Sequence, residues 1–114
     1  MEKEKKIEDW KYSRNRTLTE YIVEEGIEEI GEGAFCDCKN LEKISFSRGI
    51  RKIRGGAFSR CYKIKEIILK EGLEEIGDAA FYRCSRLKHL TLVKGTRKTK
   101  NWKPCIWVHS PHSL

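Results

Sequence analysis

The sequence predicts an α/β repeat solenoid, a coil with a parallel β-sheet on one face and turns or short helical segments on the other. Two observations predict it. Sliding the chain against itself by 23 residues brings "GIEEIGEGAFCDCKNLEKISF" from Gly26 over "GIRKIRGGAFSRCYKIKEIIL" from Gly49 and "GLEEIGDAAFYRCSRLKHLTL" from Gly72. A fixed period of this length is the mark of a stacked repeat, in which each unit cannot bury its apolar face alone. The second observation is electrostatic: down the same offset the charges alternate in sign, as they must if residues one period apart lie side by side.

Residues 1–26 read as a degenerate capping coil, because Ile7, Tyr12, Asn15, Leu18, Tyr21 and Val23 fall where Ile30, Phe35, Cys38, Leu41, Ile44 and Phe46 fall one period later. Residues 27–95 hold the three regular repeats. Their equivalent positions include Ala34, Ala57 and Ala80, the core file Phe35, Phe58 and Phe81, and the thiols Cys38, Cys61 and Cys84. Each unit closes on "LEKISF", "IKEIIL" or "LKHLTL". The alternation of apolar and polar residues predicts a short strand with Leu/Ile, Ile/Leu and Phe/Leu side chains pointing inward. Every strand is expected to pair with its counterpart one period away. The stretch "GDAAFYRC" is too short and Gly-rich for a stable isolated helix, so a turn or one to two helical turns is expected there. In it alanine permits close packing, phenylalanine fills the wedge between coils, and the recurring cysteine supplies a small, weakly polar, buryable group. Gly26, Gly49, Gly72 and Gly95 mark turns between coils. Residues 96–114 keep phase only over "TRKTK"; beyond it the apolar pattern is lost, and Trp102, like Trp10, is a candidate end cap.

The charge ladder runs Lys5, Glu28, Arg51, Glu74, Arg97 in one column and Lys6, Glu29, Lys52, Glu75, Lys98 in the next. On the strand side, Glu20, Lys43, Glu66, His89 and Glu25, Arg48, Glu71, Lys94 alternate likewise. Rungs about 5 Å apart would each contribute roughly 0.2–1 kcal/mol. A slip by one coil would set like charges together, so the ladder specifies register more than it adds stability.

The unit G-[IL]-x-x-I-x-x-x-A-F-x-x-C-x-x-[LI]-x-x-[IL]-x-[LF] resembles the BspA-type (treponemal) leucine-rich repeat, closely over Ile27 to Gly95 and loosely over residues 4–26. The resemblance implies a right-handed leucine-rich coil whose outward strand residues form the recognition face. It also implies kinship with surface or secreted proteins of bacteria and some protists, implicated in adhesion to host or matrix proteins and in co-aggregation. The sequence as it stands has no signal or anchor, which predicts a cytoplasmic chain unless it is a truncated remnant of a larger surface repeat protein.

Composition narrows the function. The chain has 114 residues, 39% of them hydrophobic, with 24 Lys and Arg against 17 Asp and Glu, a net +7. Five cysteines and no export signal argue for reduced thiols. No segment approaches a membrane-spanning length, so membrane insertion is not expected. The charge excess invites a nucleic-acid or polyanion reading through Arg51, Lys52, Arg54, Arg97, Lys98 and Lys100, but glutamates interleave with these and no nucleic-acid motif accompanies them. Cys36 and Cys38 form a C-x-C without a second pair at zinc spacing. Cys105, His109 and His112 are of metal-ligating type but lack a fourth ligand, so no metal or cofactor is expected. No catalytic constellation has a sequence context, and no enzymatic activity is expected. What remains is a non-catalytic protein–protein interaction module of adhesive type, with a protein partner of unstated identity. Its candidate ligand-binding residues are Ser45, Lys65, Ile68, Lys88 and Thr91, with outward Ile68 among Lys65, Lys70 and Lys88 as the anchor.

Overall fold

A computed structural model describes residues 5–46, 48–70 and 72–91, together with the backbone of residues 97–98. Four coils stack along one axis. Each describes one circuit: a two-residue strand, a turn segment, a three-residue strand and a connection to the next coil. The two-residue strands are β1 (Lys6–Ile7), β3 (Glu29–Ile30), β5 (Lys52–Ile53), β7 (Glu75–Ile76) and β9 (Arg97–Lys98). They form one parallel five-stranded sheet in the order β1-β3-β5-β7-β9. The three-residue strands are β2 (Glu20–Ile22), β4 (Lys43–Ser45), β6 (Glu66–Ile68) and β8 (His89–Thr91). Those four give two separate parallel pairs, β2-β4 and β6-β8.

The 23-residue register holds through both sets: Lys6 lies opposite Glu29, Glu29 opposite Lys52, Glu20 opposite Lys43 and Glu66 opposite His89. It changes at the last step, where Glu75 lies opposite Arg97 and Ile76 opposite Lys98. The expected rungs Glu74–Arg97 and Glu75–Lys98 are therefore replaced by a register one residue shorter, because five residues rather than six separate β8 from β9.

No helix is present among the described residues, so the α/β class and the short helical segments expected from the sequence give way to an all-strand-and-turn coil. The hydrogen bonds supply the reason. Ala34, Cys36 and Cys38 N–H bond back to Gly31, Gly33 and Phe35 carbonyls, while the intervening Gly33, Phe35 and Asp37 donate to Gly55, Ala57 and Ser59 of the next coil. The same alternation recurs from Trp10 to Asn15 and from Gly56 to Cys61. Every second amide is thus committed to a neighbouring coil, which removes the i to i−4 ladder a helix requires. The segments bend through left-handed residues, Trp10 and Arg14, Gly33 and Asp37, Gly56 and Arg60, Ala79 and Arg83.

Around this frame the core stacks in files. Phe35, Phe58 and Phe81 are fully buried, with ring centroids 5.2 Å and 5.9 Å apart and interplanar angles of 3° and 8°. Tyr12 extends the file, 5.3 Å from Phe35. The spacing is that of offset aromatic stacks. The thiol file has a uniform geometry: Cys38, Cys61 and Cys84 donate to the carbonyls of Tyr12, Phe35 and Phe58 at 3.0, 3.1 and 3.0 Å. Each cysteine fastens its coil to the one before. Ile7, Ile30, Ile53 and Ile76 fill the core beneath the five-stranded sheet, and Leu41, Ile64 and Leu87 lie in front of the longer strands. The charge ladder closes in part. Lys5–Glu28 and Arg51–Glu74 form ion pairs at 3.8 and 3.2 Å, whereas Glu29 turns to Arg54, at 2.7 Å. At the N-terminal coil the Trp10 indole packs so closely on Gly33 that a Cβ there would overlap the ring. Trp102, Gly95, Leu92 and the ladder positions Glu71 and Lys94 lie outside the described residues.

Candidate functional site: a seam in the strand face

The interruption between β4 and β6 creates the site. Between the first and second coils, Glu42 and Lys43 N–H both bond to the Thr19 carbonyl, and Val23 N–H bonds to that of Ser45. Between the third and fourth, Lys88 and His89 N–H bond to the Lys65 carbonyl, and Leu69 N–H to that of Thr91. The equivalent bonds, Lys65 and Glu66 to Glu42 and Phe46 to Ile68, are missing from the intervening step, in keeping with the separate sheets. Contrary to expectation, the strands do not all pair one period apart.

Phe46 is the physical cause we assign. It occupies the column of Val23 and Leu69 and is the largest of the three. Buried beneath β4, its ring reaches into the next coil and meets Phe58 edge-on, with centroids 5.8 Å apart at 80°. A wedge there separates β4 from β6 while the turn segments on the far side stay bonded.

Over the seam opens a groove of about 650 Å³. Ile44 and Phe46 lie at its base, Glu20, Glu42 and Lys43 on one bank, and Lys65, Glu66 and Lys70 on the other. Ser45, Lys65 and Ile68, three of the residues selected from the sequence, come together in its lining. Lys88 and half-buried Thr91 belong to the following coil and are not among the lining residues. Ile68 is 48% exposed, an apolar group between two lysines at the rim. A cavity of about 400 Å³ lined by Glu25, Arg48 and Lys70 shares Lys70 with the groove. Sequence reasoning missed Phe46, Glu20, Lys43 and Glu66 as lining residues. The signal available was the change of size, Val to Phe to Leu, within one column.

No cysteine is among the residues lining the groove. The four described cysteines form no disulfide. Burial pushes Cys38 up to about 11 and Cys61 well above the ordinary thiol range. Cys36 is raised by burial and by Asp37, against the opposing influence of Arg60 and Arg14. Protonated thiols are poor nucleophiles and poor metal ligands. Among the described residues no cluster of three or more His, Cys, Asp or Glu side chains is placed to hold a metal ion; Cys105, His109 and His112 lie outside them. No helix of the described residues is long and apolar enough to cross a membrane.

Comparison with known proteins agrees with this architecture. The BspA type leucine rich repeat region matches residues 5–102 in six copies. Among solved structures, the Treponema pallidum leucine rich repeat protein superposes with a TM-score of 0.79 at 25% identity, over 82% of this chain and 44% of that one. A leucine rich cell surface protein of Faecalibacterium prausnitzii gives 0.81 at 23% identity, over 96% and 30%. The pneumococcal vaccine antigen PcpA gives 0.75 at 22%, over 94% and 30%. The chain thus spans less than half the length of each of these three. No curated protein matches it by sequence.

Proposed function

Because the chain belongs to the BspA-type leucine-rich repeat family, we propose that it is a non-catalytic protein–protein interaction module that takes its partner on the strand face, across the seam between β4 and β6. The observation that carries this reading is the groove itself. It combines an apolar base, an exposed isoleucine and lysines and glutamates on both banks. It also contains backbone donors and acceptors that the interrupted sheet leaves without their usual partners. Apolar anchors ringed by polar groups are the usual make-up of a protein interface core and rim.

The adhesive form of the reading, in which the chain contributes to contact with a protein on another surface, draws support from the cell-surface description of the F. prausnitzii relative. Binding to a panel of immobilised matrix proteins tests it. Ile68→Glu should weaken any specific binding at least about tenfold, since it places a carboxylate where an apolar anchor stood. Equal binding by the two forms would remove the groove from the interface, and no binding across the panel would remove the adhesive reading.

A further inference from the structure

One corner of the coil, away from the strand face, gathers basic residues from every turn. The four turn segments and the corners that follow them comprise residues 9–18, 32–41, 55–64 and 78–87. Together they hold eight Lys and Arg residues and four acids, Asp9, Glu32, Asp37 and Asp78, and of these acids only Asp37 lies beyond the first residue of its turn.

The fold lines these cations up. Arg14, Asp37, Arg60 and Arg83 occupy one position in successive coils, each in the left-handed region at φ 63°, 61°, 62° and 57°. Their backbones follow one another in a file: Arg14 N–H donates to the Cys36 carbonyl at 2.8 Å, Asp37 N–H to that of Ser59 at 2.7 Å and Arg60 N–H to that of Tyr82 at 2.6 Å. Lys39, Lys63 and Arg86 follow two or three residues later at the same corner, and all six basic residues are exposed. Electrostatically the file already converges on its middle coil, where the Cys36 thiol is influenced by Arg14 from one side and Arg60 from the other. The ion pairs of Lys5, Lys6, Arg51 and Arg54 lie elsewhere on the coil. The basic set suggested by the sequence is therefore in part spent inside the ladder, on Glu74 and Glu29.

We propose that this turn-face file binds a sulfated polysaccharide. A single row of guanidinium and ammonium groups about 5 Å per coil apart matches a linear, flexible chain of oxyanions, and the guanidinium fork suits sulfate as it suits phosphate. Single-stranded nucleic acid is disfavoured because it needs open aromatic faces for its bases. Here one face of the Tyr82 ring is taken by the Arg83 guanidinium at 5.3 Å and Lys11 lies over Tyr12 at 5.5 Å, which leaves Trp10, 53% exposed at the N-terminal coil, as a single open ring rather than a series of stacking faces along the file. Duplex DNA is disfavoured because, among the described residues, no helix or two-stranded ribbon projects from this face to enter a groove.

The test is chromatography and equilibrium binding of the full chain on immobilised heparin across a salt gradient, with a single-stranded oligonucleotide as the competing probe. Heparin binding should weaken steeply with salt, by about 0.7 in log K per decade for each charge engaged, if sulfates behave as single-strand phosphates do. The paired substitution Arg60→Asp and Arg83→Asp should raise Kd at least about tenfold at low salt, because it deletes two cations and adds two anions. Aspartate is accommodated in this backbone conformation, as Asp37 already demonstrates. Asp37→Arg, completing the file, should move elution to higher salt. Arg51→Glu and Ile68→Glu should leave the low-salt Kd for heparin within about twofold, the second separating this face from the groove. If the paired variant loses its cooperative thermal transition, Lys63→Glu with Arg86→Glu carries the test. Unchanged elution of the folded variants, or an equal loss from Arg51→Glu, overturns the proposal. So does tighter binding of the oligonucleotide through the same residues.

Discussion

The two sheets of this molecule do the same work of joining coil to coil, yet one is continuous across five strands and the other is cut in half. The five-stranded sheet has strands of only two residues. Its core file, Ile7, Ile30, Ile53 and Ile76, is uniform in size and almost wholly buried. The longer strands have more bonds available to them but rest on a file of unequal members, Val23, Phe46 and Leu69. Strand length does not decide continuity, and unevenness alone does not either, since β2 and β4 stay paired across Tyr21 and Ile44; the break falls at the step that holds Phe46. At that step the backbone opens and a groove appears.

The comparison assumes one shared core, and the largest expected effect comes from breaking it. Phe58 stacks between Phe35 and Phe81 and also receives the edge of Phe46. Phe58→Ala should cost about 3–5 kcal/mol, the usual range for a fully buried phenylalanine. Chemical denaturation followed by circular dichroism should show both sheets lost in one transition. Survival of the five-stranded sheet with only the strand face unfolded would mean that the faces are held independently.

A smaller change sharpens the contrast. Phe46→Leu makes the uneven file even, so β4 and β6 should draw together and the groove should shrink. Global stability should fall by about 1–3 kcal/mol, the cost of removing three buried carbons less what closing the seam recovers. Amide exchange is the informative measurement: the Lys65 and Phe46 amides should slow by at least about tenfold as they gain carbonyl partners. Unchanged exchange would clear Phe46 of responsibility for the seam.

These differences also explain which features are legible without coordinates. The phenylalanine and cysteine files recur at identical positions, and a period written in identical residues is visible in the sequence itself. The thiol's role is only half visible: a buryable group is expected, but donation to a carbonyl 26 residues back depends on how the turn folds. The five-stranded sheet is hidden because two residues are too few to show alternation, although the alternating charges of Lys6, Glu29, Lys52 and Glu75 are plain. The expected helical turns fail because propensity is local, whereas the alternate amides of each turn are claimed by another coil. Ile68, Ser45 and Lys65 can be selected by their outward position. The seam that unites them depends on a Val, Phe, Leu progression that any apolar pattern treats as equivalent.

The smallest effect concerns the ladder, and it distinguishes specificity from stability. Arg51 and Glu74 pair at 3.2 Å with side chains 60% and 48% exposed, so water and salt screen most of their attraction. Exchanging the two residues, Arg51→Glu with Glu74→Arg, keeps the pair but reverses its sense within the column. The new carboxylate at position 51 then stands beside Glu28, and the new guanidinium at position 74 lies toward the basic end of the chain. A double-mutant cycle should give a coupling of about 0.2–1 kcal/mol for the pair that vanishes in ~1 M salt. The exchanged chain should still fold, since the phenylalanine file sets the coil spacing, but it should refold more slowly and with more misregistered product, because like charges no longer oppose a slip by one coil. Equal refolding yield in the native and exchanged chains would reduce the ladder to a solvated surface pattern and leave register to the apolar core alone.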